Sequence, residues 1–503
     1  MSEENAVTFT GLLALLPPIV LSVATILAML LIAFRRNHLA VAALTLTGLA
    51  LALAAIPLVL PMVPRAVTSL LIVDRFALFY VALVIAAAIA VALFSYGYLN
   101  RLAGRREEFY VLLLLATVGA ALLAASNHFV SFFLALEILS VALYGMLAFT
   151  RARPRSIEAG LKYLILAATS AAFLLFGMAL VYLRAGSMAF PALADRVIQN
   201  AQGDLLLLAG LGMIIVGFGF KLAVVPFHMW TADVYEGAPA PATAFIATVS
   251  KGAVFALLLR YFAHFSGGLP HTIFLIFAAI AVASMFTGNL LALRQSNVKR
   301  ILAYSSIAHL GYLMVAFLAG GPLAPLAVTY YLAAYFITTL GAFGIVAVLS
   351  RAERDADGIE DYQGLAWRKP WLAAVFMAML FSLAGIPLTA GFVGKFCVLA
   401  AGVGSSLWFL AFILVVNSAI GLYYYLRVIV AMLARPDAAT IASFPPFAAM
   451  TASLQRPADA PGWRLGSLCA GATLAILLLS LVWLGVYPAL LIETIQSAVA
   501  CLP

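Results

Sequence analysis

The sequence predicts an all-α polytopic membrane protein of about fourteen transmembrane helices, and three observations carry that reading. Of its 503 residues, 66% are hydrophobic and 9% are charged, with mean hydropathy +1.13. A chain of that composition cannot keep its apolar surface inside a water-soluble shape, so lipid has to be its solvent. Apolar runs of the length needed to cross a bilayer follow one another along the whole chain. Finally, the Lys and Arg residues collect in alternate connections, as orientation in a membrane requires.

Taken in order, the runs place helices near 9–34, 39–61, 74–98, 109–125, 127–149, 158–183, 204–225, 240–262, 272–292, 299–318, 323–349, 372–400, 405–434 and 466–490. The start, MSEENAVTFTG, is acidic and lacks the basic segment of a cleaved signal peptide, so the first run is expected to be a retained helix. Connections after odd-numbered helices hold eighteen of the 28 basic residues, from Arg35 and Arg36 to Arg456 and Arg464. The opposite side holds five: Arg65, Arg75, Arg184, Arg196 and Arg260. The other five, Lys162, Lys221, Lys251, Lys395 and Arg427, fall within helices. With an even number of helices, this bias puts both termini outside the cytoplasm. It also explains the net charge of +9 as topology, leaving no role for nucleic acid.

No separate soluble domain is expected. The longest polar connections, 351–371 and 435–465, are too short for an independent core; the second is rich in proline, including Pro436, Pro445, Pro446, Pro457 and Pro461. Cys397, Cys469 and Cys501 have no spacing that suggests a disulfide frame, a zinc site or an iron–sulfur cluster, so no redox centre is expected in the chain. No nucleotide-binding glycine loop follows a strand. The seventh and twelfth helices each carry a lysine beside a Pro/Gly break, Lys221 before Pro226 and Lys395 after Pro387. Corresponding broken helices point to inverted repeats. The expected organisation is therefore helices 1–3 over 1–108, a first five-helix repeat over 109–262, a second, inverted one over 272–434, and a loop with the last helix over 435–503.

Four charged residues lie deep in apolar segments: Glu137 in FFLALEILSVALYGMLAF, Lys221 and Lys251 at either end of GFGFKLAVVPFHMWTADVYEGAPAPATAFIATVSK, and Lys395 in LFSLAGIPLTAGFVGKFCVL. Each costs roughly 2.5–3.5 kcal/mol to insert at a helix centre, so a role other than stability is expected. Glu137 and Lys251 are both about ten residues into their helices, which brings them near the bilayer midplane at ~1.5 Å per residue. A buried lysine whose carboxylate partner can approach or withdraw is a proton switch. The plainer reading, a static ion pair or a snorkelling lysine, stays open for any one of them; as a set they read as an ion path.

Secondary relay candidates are His309 with neighbouring Tyr304, Ser305 and Ser306, then His228 and Lys162. His128 and His228 fall near helix ends, where an interfacial histidine serves equally well, and Lys162 is close enough to its helix end to snorkel. Asp233 and Glu236, between the seventh and eighth helices, read as loop-ordering or entry-surface residues. Phe132, Phe133, Tyr330 and Tyr331 read as packing.

Three stretches, KLAVVPFHMWTADVYEGAPAPATAFIATVSK, NVKRILAYSSIAHLGYLMV and LFSLAGIPLTAGFVGKF, closely resemble the antiporter-like membrane subunits of bacterial proton-pumping NADH:quinone oxidoreductase, respiratory complex I. The likeness runs over helices 4 to 13, and the same family resembles the large subunits of multisubunit Na+/H+ antiporters. The N-terminal hundred residues and 435–465 match less distinctively. In that family the M type carries glutamate in helix 12 and the L type adds a long C-terminal lateral helix. Lys395, and an end just after helix 14, favour the N type, counterpart of mitochondrial NADH dehydrogenase subunit 2.

The resemblance implies fourteen helices, two inverted five-helix units and a central hydrophilic axis carrying protons. Glu137 aligns with the family's helix-5 glutamate, and Lys221, Lys251 and Lys395 with its lysines of helices 7, 8 and 12. It implies no cofactor in this chain, with FMN, iron–sulfur clusters, NADH and quinone serving the whole complex. It further implies other complex I membrane subunits as partners, especially antiporter-like subunit M and small subunit K, in the bacterial inner membrane with both termini periplasmic. A free-standing multisubunit cation/proton antiporter is the alternative setting for the same lysines.

Overall fold

A computed structural model of the chain describes residues 9–102, 104–200, 204–265, 270–435 and 461–502. The acidic start and most of the 435–465 connection lie outside the described residues.

The spans are α1 Leu16–Phe34, α2 His38–Val59, α3 Arg75–Leu99, α4 Glu108–Ala125, α5 Phe129–Leu147, α6 Pro154–Ala185 and α7 Leu205–Leu222. After a short helix, Met229–Gly237, come α8 Ala240–Ala263, α9 His271–Leu293, α10 Val298–Ala319 and α11 Leu323–Leu349. The twelfth, α12, is in two pieces, Pro370–Ala384 and Ala390–Gly404; α13 Trp408–Leu433 and α14 Pro461–Val486 follow, then a terminal helix, Ala489–Val499. Among the described residues, thirteen helices are long and apolar enough to cross a membrane, and α12 falls short because it is broken.

Local chemistry sets the ends. Asn37, Asp74, Asp204, Asn297 and Thr389 accept backbone N–H groups at the starts of α2, α3, α7, α10 and the second piece of α12. Such caps satisfy amides that have no partner inside the helix. Proline opens α6 and the first piece of α12, where its missing N–H costs nothing.

Burial sorts the spans into an axis and a periphery. All of the most apolar stretch of α8 and 94% of that of α10 is buried, against 33% in α1 and α6 and 28% in α14. The most deeply buried spans are thus α8 and α10, flanked by α11. Neighbour packing pairs α4 with α5, α6 with α7, α9 with α10, and α11 with both pieces of α12.

Two of these spans are interrupted in the same way. At the end of α7 the amides of Ala223 and Val224 bond back to the carbonyls of Phe220 and Gly219, each at 3.0 Å. At the end of the first piece of α12 the amides of Gly385 and Ile386 bond to Ser382 and Phe381, again at 3.0 Å. Both are Schellman closures around one left-handed residue, Ala223 at φ 59 and Gly385 at φ 86, with a proline following shortly after each. A third irregularity, the π-helical turn Ile246–Ser250, sits in α8 immediately before Lys251.

Two buried ionic joints fasten the bundle. Arg260, in the last turn of α8, grips the Asp74 cap of α3 through two N–H···O contacts of 2.8 Å and donates to the Ala124 carbonyl. Asp355, in the connection after α11, accepts from Tyr98 at 2.7 Å and from Arg153 and Lys299 at 2.8 Å. Lys299 donates its other protons to the carbonyls of Glu236 and Ala238. Arg260, which the sequence puts among the outer basic residues, is therefore a fully paired internal group.

Candidate functional site

Lys221, Lys251 and Lys395 are all buried, in three different helices, and Glu137 is half-buried in a fourth. Lys221 occupies the last turn of α7, where unpaired carbonyls and the negative end of the helix dipole favour a cation. Its Nζ donates to Ser140 Oγ at 2.6 Å and lies 5.4 Å from the ring centre of Tyr163. Ser140 in turn donates a hydrogen bond to the Leu136 carbonyl at 2.5 Å. Glu137 lies one turn from Ser140 on the same face of α5, close to Lys221 but not within ion-pairing distance among the described residues. Its Oε1 is buried with no hydrogen-bond partner there. Glu137 and Lys221 thus interact without forming an ion pair, and the ammonium bonds Ser140 instead.

Lys251 begins the second α-helical part of α8 just after the π turn, which offsets the helix so that the lysine faces α10. Its Nζ donates to Ser306 Oγ at 2.5 Å, and Tyr335 of α11 donates to the same oxygen at 2.7 Å. The ring of Tyr235, from the short helix, is 5.4 Å away. Lys395, in the second piece of α12, reaches back across the break to the Ala384 carbonyl at 2.9 Å and to Ser418 Oγ of α13 at 2.8 Å. The break frees that carbonyl for the ammonium. Tyr312 presents its ring at 5.3 Å.

His309, buried on α10, is near enough to both Lys251 and Lys395 to feel their charges. Its Nδ1 meets the Tyr331 hydroxyl at 2.6 Å and its Nε2 the Tyr425 hydroxyl at 3.1 Å; Tyr425 in turn contacts Ser305 at 2.5 Å. A neutral imidazole has one donor and one acceptor nitrogen, so the two tyrosines take opposite roles. Ser305, His309 and Tyr312 follow the i, i+4, i+7 stripe of a single helix face. Beyond them Asn289 donates to Tyr312 and Asn417 and accepts from Tyr424. Tyr331, read from the sequence as packing, is a hydrogen-bond partner of the central histidine.

The secondary candidates divide. Lys162 is partly exposed and pairs with Glu158 at 2.6 Å and Asp233 at 2.9 Å. Arg300 joins Asp233 to Glu236, both at 2.8 Å, so these residues form one ionic network at the end of the bundle. Lys162 and Arg300 hold the Asp233 carboxyl below its ordinary range although burial acts the other way. His228 is buried beside the broken α7–α8 connection, with Nδ1 unpartnered among the described residues. His128 caps α5 by accepting from Val130 N. Tyr304 is half-buried against the apolar core, and its hydroxyl makes no hydrogen bond among the described residues.

Sequence reasoning missed Ser140, Ser418, Tyr163 and Tyr235, because a serine or tyrosine in an apolar chain is unremarkable until a lysine from another helix meets it, and it missed Asp355 because an acidic residue in a connection is ordinary until packing buries it. Among the described residues no group of three or more His, Cys, Asp or Glu side chains could hold a metal ion.

The family described as the transmembrane region of NADH:quinone oxidoreductase and Mrp antiporters matches residues 126–421. A curated relative, NADH-quinone oxidoreductase subunit N of Ectopseudomonas mendocina (strain ymp), is 47% identical over 99% of this chain and 98% of its own. A chain in the respiratory complex I of Thermus thermophilus with bound aureothin is 33% identical, with TM-score 0.78 over 96% of this chain and 99% of that one. A chain of the Mrp complex from Dietzia sp. DQ12-45-1b has TM-score 0.82 over 98% of both chains; at 22% identity it shares the fold.

Proposed function

The chain belongs to the NADH:quinone oxidoreductase/Mrp antiporter family, and from that premise we propose that Glu137, Lys221, Lys251 and Lys395 carry protons through it. It is an antiporter-like membrane-arm subunit of respiratory complex I involved in proton translocation, and a multi-pass membrane protein. Membership of that complex assigns FMN, iron–sulfur clusters and quinone to other subunits. This chain's part is to turn electron transfer from NADH to quinone elsewhere into proton movement.

The observation that carries the proposal is a set of three buried lysines in three helices, with His309 near the second and third and with hydroxyl partners at each. In the proposed order, a proton enters near Lys251, Lys221 is modulated by Glu137 before the central link, and Lys395 delivers it onward to the outside or to a neighbouring subunit. His309 is the relay between the halves; Lys162, His228 and Tyr304 are secondary to it. The ionic network of Lys162, Asp233, Glu236 and Arg300 suits an entry surface. The matching Schellman breaks and the neighbour pairs α4–α5 with α9–α10, and α6–α7 with α11–α12, support two inverted five-helix units over 109–262 and 272–434. The basic-residue bias supports periplasmic termini in a bacterial inner membrane. Subunits M and K are the proposed neighbours among the membrane subunits.

Placement in a cation/proton antiporter remains the competing setting, and the 47% identical relative favours complex I over the Mrp complex, whose likeness is one of fold. Co-purification with NADH-oxidising subunits separates the two. The residue roles are tested by Lys221→Ala. The variant assembles into full-size complex on native gels, yet vesicles reconstituted with it fail to acidify; normal acidification would remove Lys221 from the path.

A further inference from the structure

The three lysines share a serine hydroxyl and a tyrosine face built from unrelated parts of the chain. Lys221 donates to Ser140 at 2.6 Å and has the Tyr163 ring centre at 5.4 Å, with the Phe220 ring at 5.7 Å; Lys251 has Ser306 at 2.5 Å and Tyr235 at 5.4 Å; Lys395 has Ser418 at 2.8 Å and Tyr312 at 5.3 Å, and one backbone carbonyl, that of Ala384, at 2.9 Å. None of the three has a carboxylate within 4.0 Å among the described residues. Lys299 provides the contrast inside the same protein. It is as deeply buried as Lys251, but it is locked to the Asp355 carboxylate and to two backbone carbonyls.

We propose that a neutral cage of one serine hydroxyl and one tyrosine face makes a buried lysine here a proton carrier, whereas a carboxylate cage makes it a structural cation. This rests on the proposed role of the lysines and adds Ser140, Ser306, Ser418, Tyr163, Tyr235 and Tyr312 as positioning residues. The chemistry follows from what each partner does in the two states. A serine oxygen accepts from the loaded ammonium and, after its hydroxyl rotates, donates to the discharged amine, so the site stays hydrogen-bonded throughout. A carboxylate only accepts and holds the proton in place. The ring face attracts the cation and not the amine, and does so weakly. It therefore biases the lysine toward loading without trapping it.

The Lys251 site gives the clearest test. The titratable groups facing it are Tyr235 on the short helix, Tyr335 on α11 and His309 on α10, and His309 in turn faces Lys395. Proton uptake per NADH oxidised is measured against pH in vesicles containing the whole complex. Tyr235→Leu removes the bias toward the loaded form, so the alkaline limb of the pumping profile moves down by roughly 0.5–1 pH unit. Tyr235→Phe keeps the ring and retains the native profile. Ser306→Ala lowers pumping several-fold and Ser306→Thr, which restores a hydroxyl, recovers it. If Tyr235→Leu leaves the profile in place, or Ser306→Ala pumps normally, the cage is overturned. Should Tyr235→Leu fail to assemble, Tyr312→Leu against Tyr312→Phe reads the same property at Lys395. Lys251→Ala, run in parallel, separates the two layers: normal pumping there defeats the role of the lysine, whereas lost pumping with silent cage variants defeats the cage alone.

Discussion

The breaks in α7 and α12 have the same backbone closure but hold their lysines in opposite ways. Lys221 precedes its break and rests at the end of its own helix, with Ser140 beside it and the Glu137 carboxylate one turn beyond. Lys395 follows its break and leans back on the Ala384 carbonyl of the preceding piece, with Ser418 as its side-chain partner. A carboxylate can be neutralised or moved; a backbone carbonyl cannot. On the proposed path, Lys221 therefore has an adjustable charge near it, whereas Lys395 would depend on what reaches it from His309 or from a neighbouring subunit. The same difference appears in the backbone, where one break uses glycine for its left-handed residue and the other forces an alanine into it.

The largest expected effect comes from cutting the joint between the halves. Asp355 links Arg153, Tyr98 and Lys299, and Lys299 links onward to Glu236 and Ala238. Asp355→Asn strands two cations in a buried site and is expected to cost about 3–5 kcal/mol. Thermal unfolding and native gels would show a complex that dissociates early, and an unchanged melting curve would mean that the halves are held elsewhere. Burial pushes the Asp355 carboxyl upward, but Lys299 and Arg153 hold it below the ordinary aspartate range. Because the folded value is depressed, the joint contributes fully above a pH of about 4 and is lost as pH falls through the lowered value.

Glu137 gives the next largest effect, confined to the first half. Glu137→Gln removes the charge that supports a loaded Lys221 and should abolish most pumping, whereas Glu137→Asp, a shift of one methylene, retains an appreciable part. Equal activity in the two variants would make Glu137 a hydrogen-bonding residue and erase the difference between the halves.

The backbone closures give the smallest effects, of opposite sign. At Gly385 a Cβ would meet the Lys395 side chain at 2.8 Å in a left-handed backbone, so Gly385→Ala should cost about 1–2 kcal/mol and displace the lysine. Ala223→Gly relieves the same strain in α7 and should stabilise by up to about 1 kcal/mol. Thermal melts of the two variants that shift in the same direction would show that the closures are not equivalent.

Much of this comparison was legible in the sequence. Lys221 and Lys395 beside Pro226 and Pro387 announced both breaks, because a charge and a helix breaker together in an apolar run are costly. The place of His309 inside an apolar run, among Tyr304, Ser305 and Ser306, announced it as a relay candidate. Other parts were not legible, for physical reasons. Helix periodicity gives no distance between two different helices, so Ser140 as the partner of Lys221 was invisible. Asp355 and Arg260 lie at ends of apolar runs, where charge is ordinary, and only tertiary packing buries them.

The claim at the centre of the account is that the buried lysines work by releasing protons rather than by supplying a fixed field, and Lys395→Arg tests it most directly. Arginine keeps the positive charge but holds its proton far too tightly to release it during turnover, with a pKa above ~12. Protons translocated per NADH oxidised are measured in sealed vesicles, with assembly checked in parallel and Lys395→Glu as a titratable control. The account predicts that Lys395→Arg assembles but pumps poorly and that Lys395→Glu retains more; native stoichiometry in the arginine variant would contradict it.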